Sequence, residues 1–219
     1  ITTSISVSSG GSSLGEVLDG LGRCPYCTVA SPHMERVWAS QGPTRRSSAG
    51  QSKHWAAYRC SSCGSVTVVS AEKGNNRFIV DAMHPAQKTA HDDIPEPGRK
   101  FLQQAYETLH APDAAALMSG SAVDSFLKAV EYREGSLYQR IDRALKDNVL
   151  TKGMADWAHS VRLGANRPRH ADAERPHVSP EEAEQSVAFA EALGTFLFVL
   201  TARIERGIEA AGAAKPVDA

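Results

Sequence analysis

The 219-residue chain holds four cysteines, placed as two pairs, Cys24-Pro25-Tyr26-Cys27 and Cys60-Ser61-Ser62-Cys63. Cys-x-x-Cys spacing lets two thiolates reach one ion. Two such pairs supply the four sulfur ligands that close a tetrahedral, structural zinc site. The interval from 28 to 59 is long for paired knuckles, but it is spanned if it forms a strand, a loop and a returning strand. Pro25 stiffens the first knuckle, and Gly64 after the second frees the backbone for a tight turn. Two other uses of the same residues are two disulfides, as in a secreted domain, and redox chemistry. The paired spacing, with no secretory signal ahead of it, fits a metal better than a disulfide framework. Two Cys-x-x-Cys motifs without a βαβ pattern do not fit thioredoxin-type exchange. His33 and His54 are further potential ligands, but four cysteines already fill a tetrahedron.

A second constellation lies in Ala158-His159-Ser160-Val161-Arg162-Leu163-Gly164-Ala165-Asn166-Arg167-Pro168-Arg169-His170. Arg162, Asn166 and His170 are spaced four and four, so one continuous helix puts them on one face. Pro168 lacks the N–H that would bond Gly164, which predicts a kink or an end near Asn166 with His170 in the following turn. A neutral His beside Arg and Asn has the parts for acid–base cleavage of RNA, with Arg steadying phosphate charge. The same residues also serve a plainer purpose: Asn closes the helix, His170 bonds a carbonyl and Arg162 pairs with an acid.

These residues need elements to hold them. Residues 1–13, mostly Ser, Thr and Gly, read as a disordered tail. Leu14, Val17, Leu18 and Leu21 have the spacing of a short helical turn against the metal module. The module, residues 14–80, reads as β: short strands at Thr28–Ala30 and Val37–Ala39, then His54–Arg59, Ser65–Ser70 and Phe78–Val80. A mobile excursion spans Gly42–Lys53, and a turn sits at Gly74-Asn75-Asn76. This is the pattern of a zinc ribbon, hairpins joined by a metal at one end. Arg45 and Arg46 in the excursion are candidates for phosphate contact or for solvated loop charge. Trp38, Trp55 and Tyr58 are candidates for base stacking, or for packing the small core of a ribbon.

Residues 81–98, rich in Pro and charge, read as a linker. From 99 to 211 the pattern is helical, with 212–219 as a tail. Helices are expected over Arg99–His110 (stripe Phe101, Leu102, Ala105, Leu109), over 114–131, over 137–146 capped by Ser136, and from the cap Thr151 onward. A last helix starts at Ser179-Pro180-Glu181-Glu182, with Ala190, Leu193, Leu197, Leu200 and Ile204 as its seam. The fold class is therefore α+β, a small β zinc ribbon followed by a mainly α-helical bundle.

Bulk composition excludes little. Residues 1–90 carry 9 Lys+Arg against 5 Asp+Glu, and residues 91–219 carry 15 against 20, so the metal half is mildly basic and the rest mildly acidic. No run reaches the roughly 18 uninterrupted apolar residues of a membrane span; the nearest, 187–202, contains Glu191. Free thiols at zinc spacing favour a cytoplasmic protein.

The order of parts, a CxxC…CxxC ribbon, an Ile-Pro linker and a helical domain ending in Arg-x-x-Gly-x-Asn-x-x-x-His, resembles the prokaryotic domain-of-unknown-function family 4145. That family is similar to the HEPN (higher eukaryotes and prokaryotes nucleotide-binding) helical domains. The resemblance covers residues 20–210 and rests also on Leu137–Ile141 and Arg162–His170. It implies a HEPN-like bundle. Active members are metal-independent ribonucleases that use an Arg, a polar residue and a His across a dimer. Here the polar residue falls on Asn166 and the His on His170, while Ala165 stands where the Arg belongs. Arg162, Arg167 and Arg169 lie nearby, out of register. The resemblance thus implies a homodimer and an RNA- or protein-binding component of a prokaryotic defence or nucleic-acid-handling system, without catalysis. An endoribonuclease built on Asn166 and His170, or a purely structural interaction domain, are the alternatives. Arg45, Arg46, Arg167 and Arg169 are the candidate nucleic-acid contacts.

Overall fold

The computed structural model describes residues 14–45, 52–74, 77–170 and 174–213. The fold is α+β, and the chain divides into two compact units, Ile1–Lys88 and Thr89–Ala219.

The first unit is an antiparallel meander of β1 (Met34–Ala39), β2 (His54–Cys60), β3 (Val66–Lys73) and β4 (Phe78–His84), in that spatial order. The β-branched run Val66-Thr67-Val68-Val69 suits a central strand flanked on both sides. Alternation sends Ala56, Tyr58 and Cys60 of β2 and Val69 of β3 to one face, where they meet Met34, Cys24 and Leu18 in the unit's core. Two irregularities interrupt the ladders. The β1–β2 register slips between Arg36 and Trp38, which makes Val37 an extra residue, and the β3–β4 register slips at Ser70/Ala71, which does the same for Asp81. Asp81 accepts from Ser70 Oγ at 2.7 Å and pairs with Lys53.

Several expectations are corrected here. Residues 14–21 do not form a helical turn. Leu18 N–H donates to Met34 O at 3.0 Å, Arg36 N–H donates to Glu16 O at 2.8 Å, and Val17 bridges Glu35. The free edge of β1 offers backbone partners that a turn interrupted by Gly15 and Gly20 cannot match. Thr28–Ala30 is not a strand but one isolated bridge, Arg23 to Ala30. Strand β3 runs on to Lys73 and β4 to His84, so residues 81–84 of the expected linker belong to the sheet. The excursion after Gly42 has an ordered neck, because Thr44 and Lys53 exchange backbone hydrogen bonds at 2.8 and 3.0 Å. Its middle, including Arg46, lies outside the described residues, as do Asn75 and Asn76 of the expected turn and residues 1–13 and 214–219 of the expected tails.

The second unit contains α1 (Gly98–Glu107), α2 (Pro112–Ala129), α3 (Leu137–Lys146), α4 (Lys152–His170) and α5 (Pro180–Gly194). A π-helical turn (Thr195–Val199) then leads into α6 (Leu200–Ala213). Helix α2 is the centre and packs against α1, α4 and α5. Its buried small residues Ala115, Ala116, Ser119, Gly120 and Ala122 allow close approach, and Phe126 fills the middle of the core. Ile94, in the expected linker, is 2% exposed and belongs to this core. Ser136 and Ser179 each close a capping box, with Gln139 and Glu182 as return partners. Thr151 Oγ1 accepts from Met154 N–H at 3.3 Å.

Two helical expectations change. Helix α4 continues through Pro168 to His170. Pro168 lies in the last turn, so the bond it removes is one near a terminus, where carbonyls are already losing partners. The seam of the last helix also breaks. Ala190 and Leu193 are buried, but Leu200 is 46% and Ile204 54% exposed, while Val199 takes the inward place. The extra residue of the π turn rotates everything after it. The continuous helix Pro180–Gly212 is long enough to cross a membrane and contains an 18-residue stretch apolar enough to do so, at a mean hydropathy of 1.7; one third of that stretch is buried within the protein.

Candidate metal centre and cationic cleft

The two knuckles fold alike. Thr28 N–H donates to Cys24 O at 3.1 Å, and Gly64 N–H donates to Cys60 O at 2.8 Å, so each Cys-x-x-Cys closes one turn. The residue after each second cysteine is left-handed, with φ of 57° at Thr28 and 75° at Gly64. Glycine adopts that conformation freely, whereas a β-branched Thr is strained there. Cys60 is anchored from the sheet side by Cys60 N–H to Ser65 O at 2.9 Å, and Ser61 N–H reaches His33 O at 3.0 Å.

The consequence is convergence. The Sγ atoms of Cys24, Cys27, Cys60 and Cys63 all lie within 4.8 Å of one another, with Cys24 and Cys63 at 3.9 Å, and all four cysteines are free. A tetrahedron with metal–sulfur bonds near 2.3 Å has sulfurs about 3.8 Å apart, so this group has the dimensions to hold a metal ion. Burial pushes the thiols of Cys24 and Cys27 up, the latter to about 12. At Cys63 desolvation is overcome by hydrogen bonds from Ser65, which bring it down to about 7. A bound cation supplies the positive charge that the buried thiols otherwise lack. His54 is engaged elsewhere, with its ring 4.4 Å from that of Phe78.

The helical unit holds a cleft of about 770 Å³, whose lining includes Asp124 and Lys128 of α2, Tyr138 and Arg140 of α3, and Arg162, Asn166 and Arg169 of α4. Asp124 is shared by Arg140 at 2.5 Å and Lys128 at 2.6 Å. Arg162 and Arg169 have no acidic partner among the described residues, so the cleft carries excess positive charge. Arg162 lies over the Tyr138 ring at 5.4 Å, a cation–π contact, and its Nε is buried without a hydrogen-bond partner. The Tyr138 ring also meets that of His159 at 4.8 Å, and His159 Nε2 is held by Asp142 at 3.0 Å.

Of the residues singled out from the sequence, Arg162, Asn166 and Arg169 come together in this cleft. His170 is exposed and does not line it. Arg167 turns to Glu182, with its two terminal nitrogens at 3.1 and 2.9 Å. Arg45 lies on the sheet unit beside Trp55, and Arg46 is outside the described residues. Ala165 is 5% exposed; it packs beside Gly120 of α2 and also lines the cleft. Tyr138, Arg140 and Lys128 were not singled out. The i,i+4 pair Asp124–Lys128 and the single tyrosine in the first turn of α3 were their only local signals.

No curated protein and no solved structure matches the chain. Residues 103–209 match the model of the family described as a domain of unknown function (DUF4145).

Proposed function

We propose that the helical unit binds single-stranded RNA in the cleft between α2, α3 and α4 without cleaving it, and that the first unit is stapled by one structural zinc. The observation that carries this reading is the pairing of Arg162 with Tyr138, at 5.4 Å, beside Arg140, Arg169 and Asn166. Guanidinium groups suit phosphate, and an aromatic ring suits an unstacked base. The absence of His170 from the lining, and an alanine at 165 where the resemblance implies the motif Arg, speak for binding over the acid–base chemistry of an endoribonuclease. A prokaryotic defence or nucleic-acid-handling system follows from the resemblance, and a cytoplasmic place from free thiols at zinc spacing; both complete the proposal.

Filter binding of a single-stranded RNA homopolymer across a salt series tests it. The expected result is a falling log–log slope that flattens when Arg162 becomes Ala, with no cleavage in chelator. Cleavage by the wild type that disappears in His170→Ala would replace this reading with the ribonuclease. Absence of binding at low salt would leave a structural interaction domain. The homodimer implied by the resemblance would also give Phe196, Leu200, Ile204 and Ile208 cover, since all four are 42–68% exposed. A monomer by light scattering at high micromolar concentration would remove it.

A further inference from the structure

The sheet of the first unit has a second face, opposite the core. Register places Trp38, Ala57, Val68 and His84 in one row across the four strands, and Trp55, Ser70 and Ala82 in the row beside it. Trp38 is 54% exposed and His84 is exposed; Trp55 is half-buried, its ring stacked on His84 at 6.3 Å and 26°. Thr44, Arg45, Lys53, Trp55, Ser70, Ala82 and His84 enclose a hollow of about 320 Å³ on this face. Trp55 is fixed at its edge by Nε1–H donating to Thr44 Oγ1 at 2.9 Å.

We propose that this face is a stacking platform for single-stranded nucleic acid, a surface separate from the helical cleft. Three aromatic rings stand on a floor of small side chains, Ala57, Val68 and Ala82. A hollow of this size lies at the low end of small-ligand pockets and matches one nucleobase. The rim is basic: Arg45 has no acidic partner among the described residues, and residues 1–90 carry 9 Lys+Arg against 5 Asp+Glu. The remaining charges are mostly balanced in place, Lys53 by Asp81 and Arg59 by Glu35 at 2.8 Å. Stacking therefore outweighs ion pairing here. The expected behaviour is tolerance of base identity.

The test titrates the full chain with single-stranded poly(U) and poly(A), following tryptophan fluorescence and filter binding. Trp38→Ala should weaken both by between about five- and a hundred-fold, the range for losing one stacked base. Trp38→Phe should retain most of the affinity, and duplex of the same composition should not compete. Because Trp38 is exposed, the variant keeps its fold, and an unchanged melting temperature confirms that. Arg162→Ala separates the two surfaces. If Arg162→Ala removes all binding while Trp38→Ala binds as wild type does, the platform is wrong and the cleft stands. If the reverse holds, the cleft is wrong and the platform stands. If Trp38→Ala leaves RNA affinity unchanged but lowers the mass seen by light scattering, the face is a protein interface and the proposal is overturned.

Discussion

Gly120 on α2 and Ala165 on α4 meet so closely that a Cβ added to Gly120 would sit 2.7 Å from the Ala165 Cβ. Neither neighbour is the end of a flexible chain, so the helices themselves must part. Gly120→Ala is expected to cost about 1–3 kcal/mol as overpacking. Ala165→Arg, which would restore the motif register, lengthens the side chain at the same contact and is expected to destabilise by a similar amount, its guanidinium reaching the cleft that Ala165 also lines. Thermal unfolding followed at the helical signal measures both. A Gly120→Ala protein as stable as the wild type would contradict this contact.

Metal removal should act on one unit alone. Structural zinc in small modules is worth on the order of 10–16 kcal/mol apparent, more than a domain's usual net stability. Cys60→Ser, or a strong chelator, should therefore unfold the sheet unit while most helical ellipticity remains. Elemental analysis should find about one zinc per chain in the wild type. Intact sheet resonances in a metal-free sample would contradict the assignment.

The two knuckles are alike except that one uses Thr28 where the other uses Gly64, both left-handed. Thr28→Gly should relieve strain of about 1–2 kcal/mol, partly offset by the greater freedom glycine has when unfolded. A raised denaturation midpoint for the metal-loaded sheet unit is the expected outcome. The reverse change, Gly64→Thr, should lower it.

Glu182 links the start of α5 to α4. Hydrogen bonds from Arg167, and from the Ser179 N–H at 3.0 Å, hold its carboxyl down to about 2, against an ordinary value of 4.5. Because the folded value is depressed, the stabilisation is fully present above about pH 4.5 and is lost as pH falls from there toward 2. Partial exposure limits it to roughly 1 kcal/mol. Glu182→Gln should lower stability at neutral pH and flatten the acid limb of the profile. An unchanged acid limb would show that the pair contributes nothing.

Much of this fold follows from local patterns that tertiary context does not override. The knuckle spacing brings the cysteines together, the Ser136 and Ser179 caps begin helices where expected, and the β-branched run forms β3. What was not legible depended on single extra residues. Met34, Arg36 and Trp38 alternate as one face of a strand, which would send Trp38 into the core with Met34. The bulge at Val37 turns it over, so Arg36 pairs opposite Tyr58 while Trp38 pairs opposite Ala57 on the other face. Nothing in the spacing of side chains marks such an insertion, because it is set by how β1 must fit β2. The cleft was hidden for a different reason. Tyr138 and Arg140 come from α3 and Arg162 from α4, and only the packing of the two helices brings them together.

The π-helical turn at Thr195–Val199 makes one helix answer to two surroundings. Before it, α5 is locked among core side chains; after it, α6 touches little beyond the turn itself and the Asp93–Arg206 ion pair at 2.8 Å. Such a helix has little local resistance to opening, since a stretch of this length is marginal alone in water. Limited trypsin digestion should therefore nick first at Arg203 and Arg206, trimming the end of the chain like a detachable handle and leaving the rest of the bundle to melt as before.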